Sequence, residues 1–556
     1  MRRKEMENIK FLYKYTKGHR GRLTISMIMM IILSYVSIMP AKYYKEAMDN
    51  GILTGDYEYL KKVCMTLIVI YVLKSILNYI TSKIFIISSQ SIIFEIKKDL
   101  LKRVLKLPMT FFEGKETGYI MARVGETDKL QILFSQQTFK ILISIIEFII
   151  VLYILMKYNI KLTLIALAIM PLYYIVTSKF MGNISKISME LMEKGAKMSG
   201  KLEESISGIE EVKNLNIEEK ETKKNIDYNK EFVKTAIKQG ILYSIGMELL
   251  TLISAIAGVI VLLYAGKDII FSGFTIGGYI AFANYIGKLY APVIQLGTTT
   301  LTIQPAVNSL KRVKEIMEEL TEEEKNINGE ELTEEIKKIK MEDIEFSYDG
   351  KTKVLKGINL EVKKGEKIII KGPNGSGKTT LMKLLLGIYD GYKGRIIINE
   401  KNQKEIDIKS LRERFGIVSQ KIFLFNDTIK NNIMYSSKEI KEEKYKEILK
   451  KSNLEKLIEK FPLKDNHMIT NNGQNLSGGQ KQLIAIARAL AKGADIFIFD
   501  EATVHIDKET KETIKRIIKE ELKDKICFII THEDSFDEIG DKIIKLKNIE
   551  EVSMFE

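Results

Sequence analysis

The 556-residue sequence predicts a six-span α-helical membrane domain fused to an α/β domain. Three observations carry that expectation. Six apolar stretches fall before residue 300, short apolar strands alternate with helical patterns after residue 336, and one of those strands runs into a glycine-rich loop. The chain is too long for one hydrophobic core. Its composition, 46% hydrophobic and 28% charged, averages an apolar first part with a Lys/Glu-rich second part. The expected domains are residues 1–312 for the six-helix membrane part with long cytoplasmic helical extensions, 313–336 for an acidic linker and 337–556 for the soluble domain.

The apolar stretches are Leu23–Pro40, Val63–Tyr79, Ile141–Met156, Leu162–Val176, Gly240–Ala265 and Ile276–Val293. A helix of about 20 apolar residues crosses a bilayer, and lipid offers its backbone no other partners, so each stretch is expected to be helical throughout. Lys157–Lys161 reads as a tight turn between two spans. Lys and Arg number eight in residues 1–22, eight in 88–137 and eleven in 182–239, against two in 41–60, two in 157–161 and one in 266–274. Positive residues stay on the cytoplasmic side, so a multi-pass protein of the cell membrane with both termini inside is expected. The two long internal segments have the periodicity of helices running past the membrane, with Ile92, Leu100, Val104 and Leu107 on one of them before Pro108. The run after the basic N-terminus is too long for the apolar core of a signal peptide, so no cleavable signal is expected.

The formal charge of +14 suits nucleic acid or an anionic membrane surface, and with membrane spans present it reads as the positive-inside excess, so no nucleic-acid partner is expected. Two distant cysteines, Cys64 and Cys527, exclude a disulfide framework, a zinc ribbon and an iron–sulfur site. Four scattered His argue against a His-based metal centre.

Ile368–Ile370 is a buried-strand run that feeds Gly372-Pro373-Asn374-Gly375-Ser376-Gly377-Lys378-Thr379-Thr380. In this strand–loop–helix setting the glycines let backbone N–H groups wrap phosphate, the helix presents its positive end, Lys378 reaches the β- and γ-phosphates and the Thr379 hydroxyl ligates Mg²⁺. Ile496–Phe499 is a second apolar strand, ending in Asp500-Glu501. Asp500 would hold Mg²⁺ through its outer shell and Glu501 would polarise the attacking water. Between them lies Leu476-Ser477-Gly478-Gly479-Gln480, ahead of a helical pattern over 483–490. A second anion cradle is redundant if one chain binds one nucleotide alone, and makes sense if it completes a phosphate site on another subunit.

This set of motifs resembles an ATP-binding cassette (ABC) transporter of the exporter type, written as a half-transporter, and the resemblance covers nearly the whole chain. It implies ATP and Mg²⁺ as ligands, and as partners membrane lipid, a transported solute and a second half-transporter, identical or related. By the same resemblance Tyr348 would stack on adenine, and Gln420 would contact Mg²⁺ and water and sense the membrane part. His532 would position the γ-phosphate beside Glu501, and Asp507 would sit in an inter-subunit loop. Each ATP would lie between Lys378 of one chain and Ser477 of the other. Leu107–Glu113 and the segments near Glu203–Ile209 and Asn216–Glu218 would pass motion to the membrane helices. Two departures stand out: Val504-His505-Ile506 replaces the usual Ser-Ala-Leu, and the segment before the signature lacks the Glu often found there. His505 reads either as a titratable group near the inter-subunit contact or as a spacer.

Ionisable residues in apolar spans are functional candidates, which singles out Glu147, Glu248 and Lys288 as a substrate cavity, with Lys74 a fourth. The carboxylates would either bind a cationic solute or pair with the lysines. The expected function is ATP-driven export of a peptide, lipid or amphipathic drug. The alternatives are a regulatory or sensory membrane ATPase without its own solute and a soluble-type ABC ATPase acting on nucleic acid or ribosomes, against which the six spans argue.

Overall fold

The computed structural model describes residues 2–115, 117–436, 440–502 and 506–546. The chain divides into two compact units, residues 1–104 with 117–318 and residues 105–116 with 319–556. The first helices are, in chain order, α1 (Arg2–Thr16), α2 (Arg20–Glu46), α3 (Tyr57–Val104), α4 (Met109–Phe112), α5 (Thr117–Lys129), α6 (Gln136–Tyr158), α7 (Ile160–Ser207), α8 (Ile209–Asn214), α9 (Glu218–Phe271) and α10 (Ile276–Glu318). Helix α4 belongs to the second unit and the others to the first.

Among the described residues, five helical stretches are long and apolar enough to cross a membrane: Met6–Ile52, Tyr57–Val104, Gly118–Tyr158, Ile160–Ser207 and Glu218–Phe271. The sixth apolar run opens α10, where Gly277, Gly278, Asn284, Gly287 and Lys288 dilute it. Helix α9, at 54 residues, extends about 80 Å, far more than the hydrocarbon thickness of about 30 Å. Helices α7 and α9 run along each other, α2 pairs with α3, and α10 touches α2, α6 and α7. Small side chains allow the close approach, with Ala166, Ala257, Ala265 and Ala281 fully buried. Polar groups then bridge helices: Tyr290 stacks on Tyr173 at 4.5 Å and donates to the Ala166 carbonyl at 2.8 Å. The Lys157–Lys161 turn is fixed by Asn159, which caps α7 by accepting from Leu162 N–H at 3.1 Å and donates to Asp268 at 2.7 Å. Exposed apolar side chains such as Val69, Ile149, Leu263 and Ile270 cover the outside of these helices, which suits lipid rather than water.

Where the sequence places an acidic linker, residues 313–318 complete α10 and bury Val313 and Ile316, and Thr321 with Glu324 forms a capping box that starts α11 (Glu322–Lys325). In the second unit the strands are β1 (Lys338–Phe346), β2 (Leu355–Lys363), β3 (Lys367–Lys371), β4 (Lys393–Ile398), β5 (Lys401–Asn402), β6 (Phe415–Val418), β7 (Ile496–Asp500), β8 (Ile526–Ile530) and β9 (Lys542–Lys545). Its remaining helices are α12 (Lys378–Leu385), α13 (Ile408–Glu413), α14 (Ile429–Met434), α15 (Glu442–Lys451), α16 (Glu455–Ile458), α17 (Gly478–Ala491) and α18 (Lys508–Arg516).

An antiparallel sheet in the order β2-β1-β4-β5 lies beside a parallel sheet in the order β6-β7-β8-β3-β9. Parallel strands are covered on both faces, which is why β3 and β8 read as unbroken apolar runs, Ile368–Ile370 and Ile526–Ile530, all buried. The short segment 105–116 is held in this unit by Leu107, which is buried, by the Lys106 carbonyl accepting from Glu322 N–H at 3.0 Å, and by Glu113 accepting from the Tyr389 hydroxyl.

Candidate functional site

Strands β7, β8 and β3 are neighbours in the parallel sheet, and each is followed at its C-terminal end by one of the loops singled out in the sequence. Such strand ends, opening into loops, are where α/β sheets bind ligands. Register then brings residues far apart in sequence together: Ile370 pairs with Ile530, and Ile530 with Asp500.

The loop after β3 needs its glycines. Gly377 has φ +87°, and a Cβ there would stand 2.6 Å from the Leu355 side chain, so only glycine lets the loop turn into α12. Lys378, the first residue of α12, folds back so that its Nζ donates to the carbonyls of Gly372 at 2.7 Å and Pro373 at 3.0 Å, with His532 Nε2 at 3.3 Å. Burial pushes its ammonium pKa down, against the pull of Glu501 and Asp500. The Ser376 hydroxyl is buried with no hydrogen-bond partner. An orphaned donor and a buried cation at the positive end of a helix make a cradle that fits a phosphate group.

The Thr379 hydroxyl donates to Asp500 at 3.0 Å. Burial raises the Asp500 pKa, the Thr379 bond opposes this, and the neighbouring Glu501 charge raises it further. Glu501 has φ +50°, an uncommon conformation for a residue with a side chain, and its N–H donates to the Ile530 carbonyl at 2.9 Å. The Gln420 amide donates to the Glu501 carboxylate at 2.5 Å, and His532 Nε2 lies 3.4 Å from its other oxygen. Gln420, Glu501 and His532 therefore converge on one point beside Lys378. Among the described residues no group of three or more His, Cys, Asp or Glu could hold a metal by itself. The Thr379 hydroxyl and the Asp500 carboxylate stand side by side, and such oxygens, one binding directly and the other through the outer shell, would fit an Mg²⁺ that arrives with a phosphate rather than a resident ion.

Tyr348 stands at the rim, nearly half exposed, with its hydroxyl 2.9 Å from that of Thr380 and its ring edge-on to Phe346 and Tyr389. The exposed face suits stacking on a flat ring. Asn374 and Gly375 are exposed at the loop tip. Two contributors were not visible in the sequence: Tyr389, which links Tyr348 to Glu113, and Lys371, whose Nζ reaches Asp534 and Asp537 at 2.7 Å each and ties the loop entry to the segment after His532. Their signal is a partner remote in sequence, which no local motif records.

Leu476–Gln480 is built differently. Leu476 is buried, and Ser477 caps α17 by accepting from Gln480 N–H at 3.3 Å while the Gln480 side chain accepts from Ser477 N–H at 2.9 Å. Gly478 and Gly479 leave the first turn bare. Beside them Asp507 caps α18, accepting from Thr510 at 2.8 and 2.9 Å, and a Cβ on Gly479 would stand 3.0 Å from the Thr510 hydroxyl. These hydrogen bonds hold the Asp507 pKa below the usual carboxylate value. Among the described residues no hydrogen bond or ion pair joins Leu476–Gln480 to the loop 372–380. Val504 and His505 lie outside the described residues.

In the first unit, Glu147 and Lys288 line one chamber of about 540 Å³, together with Lys74 and with Lys140, which the apolar-span criterion passed over at the start of α6. Gln136, on the same wall, accepts from Ser82 at 2.6 Å and donates to Asn78 at 3.3 Å. Glu248 does not belong with them. It is exposed on α9, which packs along α7, whereas the chamber is lined by α2, α3, α6 and α10.

Residues 23–293 match the family model described as ABC transporter transmembrane region, and residues 355–504 match that described as ABC transporter. The chain is 30% identical over 542 residues to an ATP-dependent lipid A-core flippase of Desulfotalea psychrophila, covering 97% of this chain and 95% of that protein. It is 30% identical over 525 residues to the lactococcin-G-processing and transport ATP-binding protein of Lactococcus lactis, covering 93% and 73%. In structure it superposes on a bacterial Atm1-family ABC exporter with ATP bound, at a TM-score of 0.83 and 23% identity, over 95% of this chain and 94% of that one.

Proposed function

Since the chain belongs to the ABC transporter family as an exporter-type half-transporter, an ATP-hydrolysing, multi-pass membrane protein with both domains fused, we propose that two copies, or this chain and a related one, close around two ATP molecules and thereby drive an amphipathic solute out of the cell. The observation that carries this reading is the split of the anion cradles. Lys378, Ser376 and the α12 N-terminus gather beyond the C-terminal end of β3, while among the described residues neither Ser477 nor the first turn of α17 makes a hydrogen bond or ion pair with them in the same chain.

In this reading Lys378 exchanges its two carbonyl partners for the β- and γ-phosphates of ATP, and Ser376 and the N–H groups of Gly375 to Thr380 hold the remaining oxygens. Tyr348 stacks on the adenine. Thr379, with Asp500 acting through the outer shell and Gln420 beside them, would hold Mg²⁺, which would supply positive charge against the phosphate oxygens. Glu501 takes the proton of the attacking water, and His532, already 3.4 Å from it, orients the γ-phosphate. Leu476–Gln480 of the second copy completes the cradle, and Asp507 steadies that turn from its side. ATP favours the closed pair because only there does it have both cradles, and its hydrolysis removes that preference. The positive-inside pattern supports cytoplasmic termini.

The test is Glu501→Gln in the full chain reconstituted in nanodiscs. Turnover is expected to fall by about 10²- to 10⁴-fold, the usual weight of a general base, with ATP binding retained. Turnover near that of the unaltered chain rules Glu501 out as the base.

A further inference from the structure

We propose that the membrane chamber between α2, α3, α6 and α10 binds the dianionic phosphate head of a phosphomonoester, with the apolar part of the same molecule lying along the neighbouring helix faces. This rests on the reading of the chain as an exporter and names the class of its cargo.

Charge makes the case. The chamber presents Lys74, Lys140 and Lys288 against a single carboxylate, Glu147, and its other lining residues are neutral, so three positive charges less one leave a net +2. Among the described residues none of these four makes an ion pair within 4.0 Å, so the lysines are not consumed by internal bridges. Lysines at membrane depth are costly and are kept where an anion or water meets them. A cationic solute, open on sequence grounds because of Glu147 and Glu248, is disfavoured here, since Glu248 lies elsewhere and the lysines outnumber Glu147.

Geometry adds hydrogen-bond donors. Ser34 lines the same chamber, is 5% exposed, and its hydroxyl is buried with no partner. A buried hydroxyl of this kind lacks an acceptor that a phosphate oxygen supplies. Gln136 engages the Asn78 carbonyl oxygen and leaves the Asn78 amide N–H groups for a ligand. Lysine ammoniums on flexible stems suit phosphate as point charges. A volume of about 540 Å³ holds a head group and not two acyl chains. Val72, Leu73 and Ile76 around Lys74 are exposed and apolar, a path for the rest of an amphiphile.

Glu147 sets the selectivity. Against the net +2 counted for the lining residues, a dianion neutralises the chamber and a monoanion leaves one charge unmet. The same head chemistry is available from a phosphorylated lipid or from a soluble phosphate ester, and the experiment separates the two.

The experiment is native mass spectrometry of the purified full-length chain in detergent, titrated with phosphatidic acid, phosphatidylglycerol and phosphatidylcholine of identical acyl chains. Phosphatidic acid is expected to bind at least tenfold more tightly than phosphatidylglycerol, and phosphatidylcholine weakest. Lys140→Gln and Lys288→Gln should each weaken phosphatidic acid tenfold or more. Glu147→Gln should strengthen phosphatidylglycerol binding, a gain that damage to the fold does not produce. Displacement of phosphatidic acid by millimolar glycerol 3-phosphate identifies a soluble ester as the source, and failure to displace it identifies a lipid; both outcomes keep the proposal. Equal binding of the two anionic lipids, unchanged binding in the lysine variants, or weaker phosphatidylglycerol binding in Glu147→Gln overturns it. Because the readout needs no hydrolysis, Glu501→Gln should bind phosphatidic acid as the unaltered chain does, so failure here and failure of the ATP-driven reading are told apart.

Discussion

In the second unit Lys378, Asp500, Glu501 and His532 leave the C-terminal ends of three adjacent parallel strands, whereas in the first unit Lys74, Lys140, Glu147 and Lys288 stand on the flanks of three long helices. The first arrangement concentrates chemistry in short loops, where a few successive residues must be right together. The second gathers single residues whose neighbours in sequence face elsewhere. Lys140 and Glu147, two helical turns apart on α6, are as close to a local pattern as the chamber offers. The cassette site thus depends on backbone that positions several successive residues at once, while the membrane chamber depends on side chains placed one at a time.

The largest effects should fall on the strand-end site. Lys378→Ala is expected to remove both ATP binding and turnover, and Ser477→Arg to cost turnover about 10²-fold or more, as loss of an anion-stabilising site does, while ATP still binds the chain. Equilibrium nucleotide binding beside steady-state hydrolysis distinguishes them. If Ser477→Arg also abolished binding, the two cradles would belong to one site within the chain.

A smaller effect concerns stability. Burial holds the Asp500 pKa above its ordinary value, so its contribution to stability is present below the unfolded carboxylate pKa of about 3.9 and is lost as pH rises through the raised value. Asp500→Asn should therefore melt higher than the unaltered nucleotide-free chain at pH 7, by a few degrees, with the gap closing toward pH 4, and it should be inactive. Calorimetry of both chains across that range checks this, and a lower melting point for the variant at pH 7 would contradict it. The smallest effect is expected in the membrane unit, where Tyr290→Phe removes the bond to the Ala166 carbonyl and should cost about 0.6 kcal/mol, the average for such bonds between membrane helices. Thermal unfolding in detergent measures it.

This contrast explains what could be read from the sequence. The strand–loop–helix order of Ile368–Thr380 and the apolar strand before Asp500-Glu501 make the cassette legible, because buried parallel strands are unbroken apolar runs and phosphate loops need their glycines. The apolar runs of the membrane unit are equally plain. Tyr389 was not legible, since its role depends on Tyr348 and Glu113, residues 41 and 276 positions away. Lys140 lies one residue outside an apolar stretch and so escapes the pattern, and Glu248 lies inside one, although an apolar run does not show which face of a helix a residue occupies.

The most direct test of the account compares per-chain ATP hydrolysis in nanodiscs that hold one copy of the chain with that in nanodiscs that hold two. Two copies should hydrolyse ATP and one copy should bind it without turnover, because Lys378 and Ser477 then have no partner cradle. Equal rates per chain in both would show that a single copy carries a complete site, and would contradict the division of the phosphate cradle between two chains.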